Sequence, residues 1–156
     1  MRVRYDMIQC YVVRPSATGG HDFLQLRRVP TDFMGGTWQS IYGGILESET
    51  AWQAALRELR EETNLAPLEF YQLDTINTFY LAADDSIWNC PGFCAVVDGQ
   101  ATPILNDEHD AFRWIARDDF LSQLMWPGER LACAELCREI LDNGIAKPYL
   151  RLKQVY

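Results

Sequence analysis

Lysine is scarce in this chain. Only Lys147 and Lys153 stand among fourteen basic residues, against twenty-two acids, and the formal net charge is −8. DNA and RNA are held chiefly by neutralising their phosphates, so this balance argues against a polymeric nucleic acid as partner. A small anionic substrate stays compatible with it if a divalent cation supplies the positive charge. Long apolar runs are missing too: nothing approaches the roughly 18 consecutive apolar residues of a membrane span, so a soluble protein without a membrane partner is expected. The opening stretch MRVRYDMIQCYVVRP is interrupted by Arg4 and Asp6 and has no small-residue cleavage pattern, which speaks against a signal peptide. Repeats, linkers and low-complexity tracts are likewise missing. The cysteines number five, an odd count. With no secretion signal, that favours reduced thiols and a cytoplasmic location over a disulfide framework. Cys133 and Cys137 lie one helical turn apart among Leu131, Leu136 and Ile140, so buried thiols are expected there rather than a zinc site.

What the chain does have is enough apolar material for a core, 48% of 156 residues. One domain, residues 1–156, is the natural reading, and a chain of this size hides about 70% of its unfolded surface. Residues 3–13 and 23–28 read as strands separated by the turn-like SATGGHD, and WQSIYGG reads as a short strand. Residues 68–82 and 86–97, rich in aromatic and β-branched side chains, read as strands on either side of AADD, and AFRWIA as another. RDDFLSQL and PGERLACAELCREILDNG read as helices, the second opening on proline and closing on Asn143-Gly144. This order predicts an α/β (α+β) fold with helices on the faces of a mixed sheet.

The stretch from Gly43 to Leu65, GGILESETAWQAALRELREETNL, carries the chemistry. Thr50 followed by Gln53 has capping-box spacing, so a helix is expected from Thr50 to about Thr63. Ala51, Trp52, Ala55, Leu56 and Leu59 share the face that packs on the core. Glu58, Glu61 and Glu62, at i, i+3 and i+4, crowd acids at the helix end where the backbone dipole disfavours them by roughly 0.3–1 kcal/mol. Arg57 can reach Glu61 at i+4, while Arg60 points away. A solvated acidic face is one explanation. The other is a hard divalent cation, since magnesium takes one or two carboxylates and completes its octahedron with water and phosphate. Spacing alone does not choose between them.

The whole stretch resembles the Nudix box: a glycine, five residues, a glutamate, seven residues, then Arg-Glu-aliphatic-any-Glu-Glu-any-Gly-aliphatic. Gly43, Glu49 and Arg57-Glu58-Leu59-Arg60-Glu61-Glu62-Thr63-Asn64-Leu65 fit it, with Asn64 in place of the late glycine. Asparagine is the next best residue for a left-handed helix end. The resemblance covers nearly the whole chain and implies a Nudix α/β/α sandwich that cleaves a pyrophosphate bond of a nucleoside diphosphate derivative with Mg²⁺ or Mn²⁺. By position it implies Glu58 and Glu62 as metal ligands, Glu61 as ligand or general base, Arg57 as the group orienting the carboxylates, and Glu49 as ligand of a further ion. Glu108, in NDEHDAFRW, is a further candidate for ligand or base, and Glu61 and Glu108 compete for the proton-accepting role. That segment and WQSIYGG are similar to the branch containing dATP and dihydroneopterin triphosphate pyrophosphatases. ADP-ribose or dinucleoside polyphosphate hydrolysis is the main alternative, and a non-catalytic Nudix ligand-binding module a further one. Arg27 is a candidate phosphate fork, with Arg28 on the opposite face of a regular strand. Trp38, Tyr42, Phe79 and Trp126 are candidates to stack a base, and His109 is expected to be structural. Monomer and homodimer are both open.

Overall fold

The computed structural model describes residues 1–153. Its framework is an eight-stranded mixed sheet: β1 (Arg2–Arg4), β2 (Met7–Pro15), β3 (His21–Arg28), β4 (Trp38–Gln39), β5 (Ile41–Gly44), β6 (Glu69–Leu81), β7 (Ser86–Val96) and β8 (His109–Ala116). The long antiparallel hairpin of β6 and β7 lies beside β2, which runs parallel to β7 from Gln9↔Gly92 to Val13↔Val96. β3 pairs antiparallel with β2 only near their shared turn, from Val13↔Phe23 to Pro15↔His21. Beyond that point the two strands part. The segment 38–44 enters between them, β4 pairing with Leu26 and Arg27 of β3, and β5 pairing with Met7 to Cys10 of β2. The single strand expected from WQSIYGG is therefore two short ones, because it changes partner at Ser40. The strand expected over 3–13 is likewise interrupted, at Tyr5 and Asp6.

Side chains alternate across a strand, so β2 feeds two cores. Ile8, Cys10 and Val12 join Leu24, Leu26, Ile41, Phe70, Phe93 and Ala95 under helix α1 (Ala51–Thr63). Tyr11 and Val13 join Phe23, Tyr71, Leu73 and Cys94 under α2 (Arg117–Ser122), α3 (Pro127–Glu135) and the π-helical segment Leu136–Leu141 that prolongs α3. The result is the expected α/β/α sandwich. A short α4 (Lys147–Leu150), for which the sequence reading made no allowance, follows the left-handed Asn143 (φ 55°). All five cysteines are buried free thiols, with Cys133 and Cys137 in the second core. Among the described residues no helix is long and apolar enough to cross a membrane.

Helix α1 starts and stops where its sequence dictates. The Thr50 hydroxyl accepts from the Gln53 amide while the Gln53 side chain accepts from the Thr50 N–H at 2.8 Å. At the other end Asn64 is left-handed (φ 56°) and its N–H donates to the Arg60 carbonyl at 2.8 Å. Ala54, Ala55 and Leu59 are fully buried, with Ala51, Trp52 and Leu56 packed beside them. Because the box reads the helix start from one hydroxyl, Thr50→Ala should lower stability by about 1 kcal/mol. In a chain of this size that is a melting point roughly 2–4 °C lower. A melt indistinguishable from the parent's would show that α1 does not depend on its cap.

A carboxylate site at the end of the acidic helix

Gly43 is where the strand meets the helix. A Cβ there would sit 2.1 Å from Cγ and 2.2 Å from Cδ of Glu58, so only glycine lets β5 run this close to α1. The Glu58 carboxylate is thereby pressed between strand and helix. Burial raises its pKa above the ordinary carboxylate value, while the hydrogen bond from Arg57 works in the opposite direction.

Arg57 organises the acids. Its Nη1 donates to Glu58 Oε1 at 2.6 Å and to Glu61 Oε2 at 3.1 Å, and its Nη2 donates to the Gly44 carbonyl at 2.7 Å. Nε and Nη2 together grip Glu49, at 2.8 Å to Oε1 and 2.9 Å to Oε2. The i+4 contact with Glu61 was expected, and that with Glu49 was not. Both oxygens of Glu49, the acid expected to bind a further ion, accept from Arg57, which also holds its pKa below the usual range. Glu49 serves here as the anchor of the arginine.

Glu62 lies deepest. It is 2% exposed, and its Oε2 has no hydrogen-bond partner. Burial, reinforced by Glu108 and then Glu58, pushes its pKa up to about 9 even though Arg28 pulls the other way. Its nearest basic neighbour is the buried His109, whose Nδ1 stands 3.9 Å from Glu62 Oε2. Neither nitrogen of that ring is hydrogen-bonded, and burial, followed by the charge of Arg28, lowers its pKa. The imidazole is therefore neutral and does not offset the acid. His109 was expected to be a hydrogen-bonding structural residue; it is buried but unbonded. Glu61 and Glu108 are exposed at the rim of the group.

The donor set suits a hard divalent cation. Every donor is a carboxylate oxygen, one is buried and orphaned, and three neighbouring acids raise its proton affinity. As the side chains stand, no three His, Cys, Asp or Glu groups among the described residues converge closely enough to hold an ion. Arg57 draws Glu58 and Glu61 toward itself instead.

The other candidates lie elsewhere. β3 alternates, and Leu24 and Leu26 face α1, so Arg28 and not Arg27 points toward Glu62. Arg28 has a buried, unpaired Nε and donates to Asp32 at 3.3 Å. The sequence reading gave Arg28 no role. The period of two along FLQLRR held the signal, but only if the face that α1 covers was known. Arg27 instead donates to Asp110 at 2.7 Å on the far face. Trp38, its register partner, is on that face too, with the Arg113 guanidinium 4.3 Å from its ring centroid. Tyr42 also faces away from the acids, and its hydroxyl donates to Glu129 at 2.6 Å. Phe79 stacks on Trp88, and Trp126 is half exposed just before α3.

The fold recurs in known proteins. The family model for the NUDIX domain matches residues 9–136. A candidate NUDIX hydrolase of Listeria monocytogenes shares the fold with a TM-score of 0.71 and 21% identity, covering 90% of this chain and 97% of that one. The NUDIX domain of Shewanella oneidensis NrtR, solved with ADP ribose, superposes with a TM-score of 0.66 at 23% identity, covering 89% of each chain. In sequence, the chain is 37% identical over 109 residues to an octanoyltransferase of Myxococcus xanthus; this is 69% of the chain but only 30% of that relative's length. With its box arginine hydrogen-bonded to Glu58 and Glu61 and with the family model spanning most of its length, the chain belongs to the NUDIX domain family.

Proposed function

We propose that the protein is a cytoplasmic, Mg²⁺-dependent hydrolase of a nucleoside triphosphate or closely related nucleoside diphosphate derivative, with Mn²⁺ able to substitute. Glu62 carries this reading. A carboxylate 2% exposed, with an orphaned oxygen and three acidic neighbours, destabilises a fold unless a cation joins it. Glu58, Glu62 and Glu108 would hold the ion, with Glu61 able to add an oxygen. When bound, such an ion neutralises phosphate charge and acidifies a water molecule.

The chain's own residues do the rest. Arg57 keeps Glu58 and Glu61 in place by hydrogen bonds from one nitrogen, and its grip on Glu49 and the Gly44 carbonyl fixes the guanidinium in turn. Glu61 and Glu108, exposed at the rim, can each accept a proton from the attacking water at Oε and pass it to solvent. Arg28, on the α1 face, offers a guanidinium for phosphate oxygens once its bond to Asp32 opens. The similarity to dATP and dihydroneopterin triphosphate pyrophosphatases supports release of pyrophosphate. ADP-ribose and dinucleoside polyphosphates would instead yield mononucleotides, and product analysis separates the two.

Glu62→Gln keeps the size of the side chain and removes its charge. Loss of even an outer partner of a metal site costs 10–100-fold, so this variant should lose at least about 100-fold in kcat/KM with Mg²⁺. Undiminished turnover would rule out Glu62 as a ligand. Without metal the same residue should govern stability. The folded protein keeps the Glu62 proton to about pH 9, whereas the unfolded chain releases it near the ordinary value of about 4.3. Between those limits the unfolded state binds fewer protons, so stability must fall as pH rises through the window. In chelator at pH 8, Glu62→Gln should therefore melt a few degrees above the parent, and the gap should close toward pH 4. Parallel melting profiles across that range would mean that Glu62 is not a buried, protonated acid.

A further inference from the structure

Three polar groups without partners stand together behind the carboxylates. Among the described residues, Glu62 Oε2, both ring nitrogens of His109 and the Nε of Arg28 are all buried and take part in no hydrogen bond. The side chains of His109 and Glu62 are only 1% and 2% exposed, and Nδ1 stands 3.9 Å from Oε2. Buried polar groups are normally paired, so three orphans in one place need a physical reason.

Strand β8 is shaped to bring His109 there. It pairs Phe112 with Leu26 and Ala111 with Arg27, but then His109, not Asp110, with Arg28. Asp110 is thus the extra residue of a β-bulge. Leu26 faces α1, so strict alternation from Phe112 would turn Asp110 toward α1 and His109 away from it. The bulge reverses that phase. Asp110 accepts from Arg27 on the far face, and His109 lies beside Glu62 as the cross-strand neighbour of Arg28. The side chain that the bulge re-aims is the orphaned imidazole.

The unmet hydrogen-bonding capacities match one another. The Arg28 Nε–H can only donate, an ionised Glu62 oxygen can only accept, and a neutral imidazole has one donor and one acceptor nitrogen. Two donors meet two acceptors when Arg28 Nε–H donates to His109 Nε2 and His109 Nδ1–H donates to Glu62 Oε2. The second bond requires a closure of about 1 Å, from 3.9 Å to an ordinary N–H···O length. The first leaves the Nη nitrogens of Arg28 to Asp32 or to a phosphate.

We propose, resting on the cation reading of Glu62, that His109 is a positioning residue: its Nδ1–H holds the Glu62 carboxylate toward the divalent cation, and Arg28 Nε fixes the ring tautomer from behind. In this role His109 touches neither substrate nor ion and acts through Glu62. Partners that orient a metal ligand in this way contribute about 10–100-fold to metal affinity.

The test is Mn²⁺ affinity, read by calorimetric titration without substrate, for the parent, Glu62→Gln, His109→Leu and His109→Asn, with a metal-free melt of each. Asparagine offers an NH₂ where the imidazole has Nδ1, and leucine offers no donor. His109→Leu should weaken binding by about 10–100-fold, and His109→Asn should recover most of the loss. Parent-like binding by His109→Leu, or an equal loss in both variants, would overturn the proposal and leave His109 a packing residue. If the variants do not fold, the parent's imidazole nitrogens decide. The chain has two histidines, and His21→Asn assigns their signals in an ¹⁵N-resolved spectrum. With Mg²⁺ the His109 proton should sit on Nδ1, and a proton on Nε2 refutes the bond to Glu62. The Glu62→Gln control separates the two readings. A parent that binds Mn²⁺ no better than this control sinks the cation reading and the proposal with it, whereas Glu62-dependent binding that is indifferent to His109 sinks the proposal alone.

Discussion

The bond network of Arg57 is the constraint on which the site depends. One guanidinium engages Glu49 from the loop before α1, Glu58 and Glu61 from the helix, and the carbonyl of Gly44 at the end of β5. A planar group with five donors can do this, and a lysine could not hold the same set in one geometry. The network also explains how acids can accumulate at a helix end where the dipole disfavours them. Two of the three helix glutamates share the arginine's charge. The third, Glu62, is left out, and burial beside the other acids raises its pKa instead. Isolated surface ion pairs contribute little, but a partly buried, multidentate set of this kind fixes geometry as well as lowering energy.

The second constraint is the period of two along β5. Gly43 faces α1 and must be glycine because Glu58 fills the space a side chain would need. Tyr42 faces α3 and reaches Glu129. Neighbouring residues thus serve opposite sides of the sheet, the anionic chemistry on one side and the polar cluster under α3 on the other. This arrangement exists because β2 and β3 part beyond Val13 and admit the 38–44 segment between them.

Much of this was legible beforehand. The limits of α1 followed from Thr50, Gln53 and Asn64, whose effects act within one turn of the chain. The strand breaks at Tyr5–Asp6 and Ser40 were not visible, because a strand's partner is set by residues far away in sequence. The π-helical turn at Leu136–Leu141 was also hidden: its residues are ordinary helix formers, and only the longer hydrogen bonds, such as Asp142 N–H to the Cys137 carbonyl, distinguish it.

By itself the sequence determined the family, the helix that bears the acids and the identity of the carboxylates, since all of these rest on spacing within some twenty consecutive residues. Only the tertiary structure decided what each residue faces. It turned Glu49 into the anchor of Arg57, exchanged Arg27 for Arg28 beside Glu62, sent Trp38 and Tyr42 to the other side of the sheet, and brought Glu129 to Gln9 from 120 residues away. Spacing fixes which side of its own helix or strand a residue occupies; which body lies against that side depends on strand pairings and layer packing that no local pattern encodes.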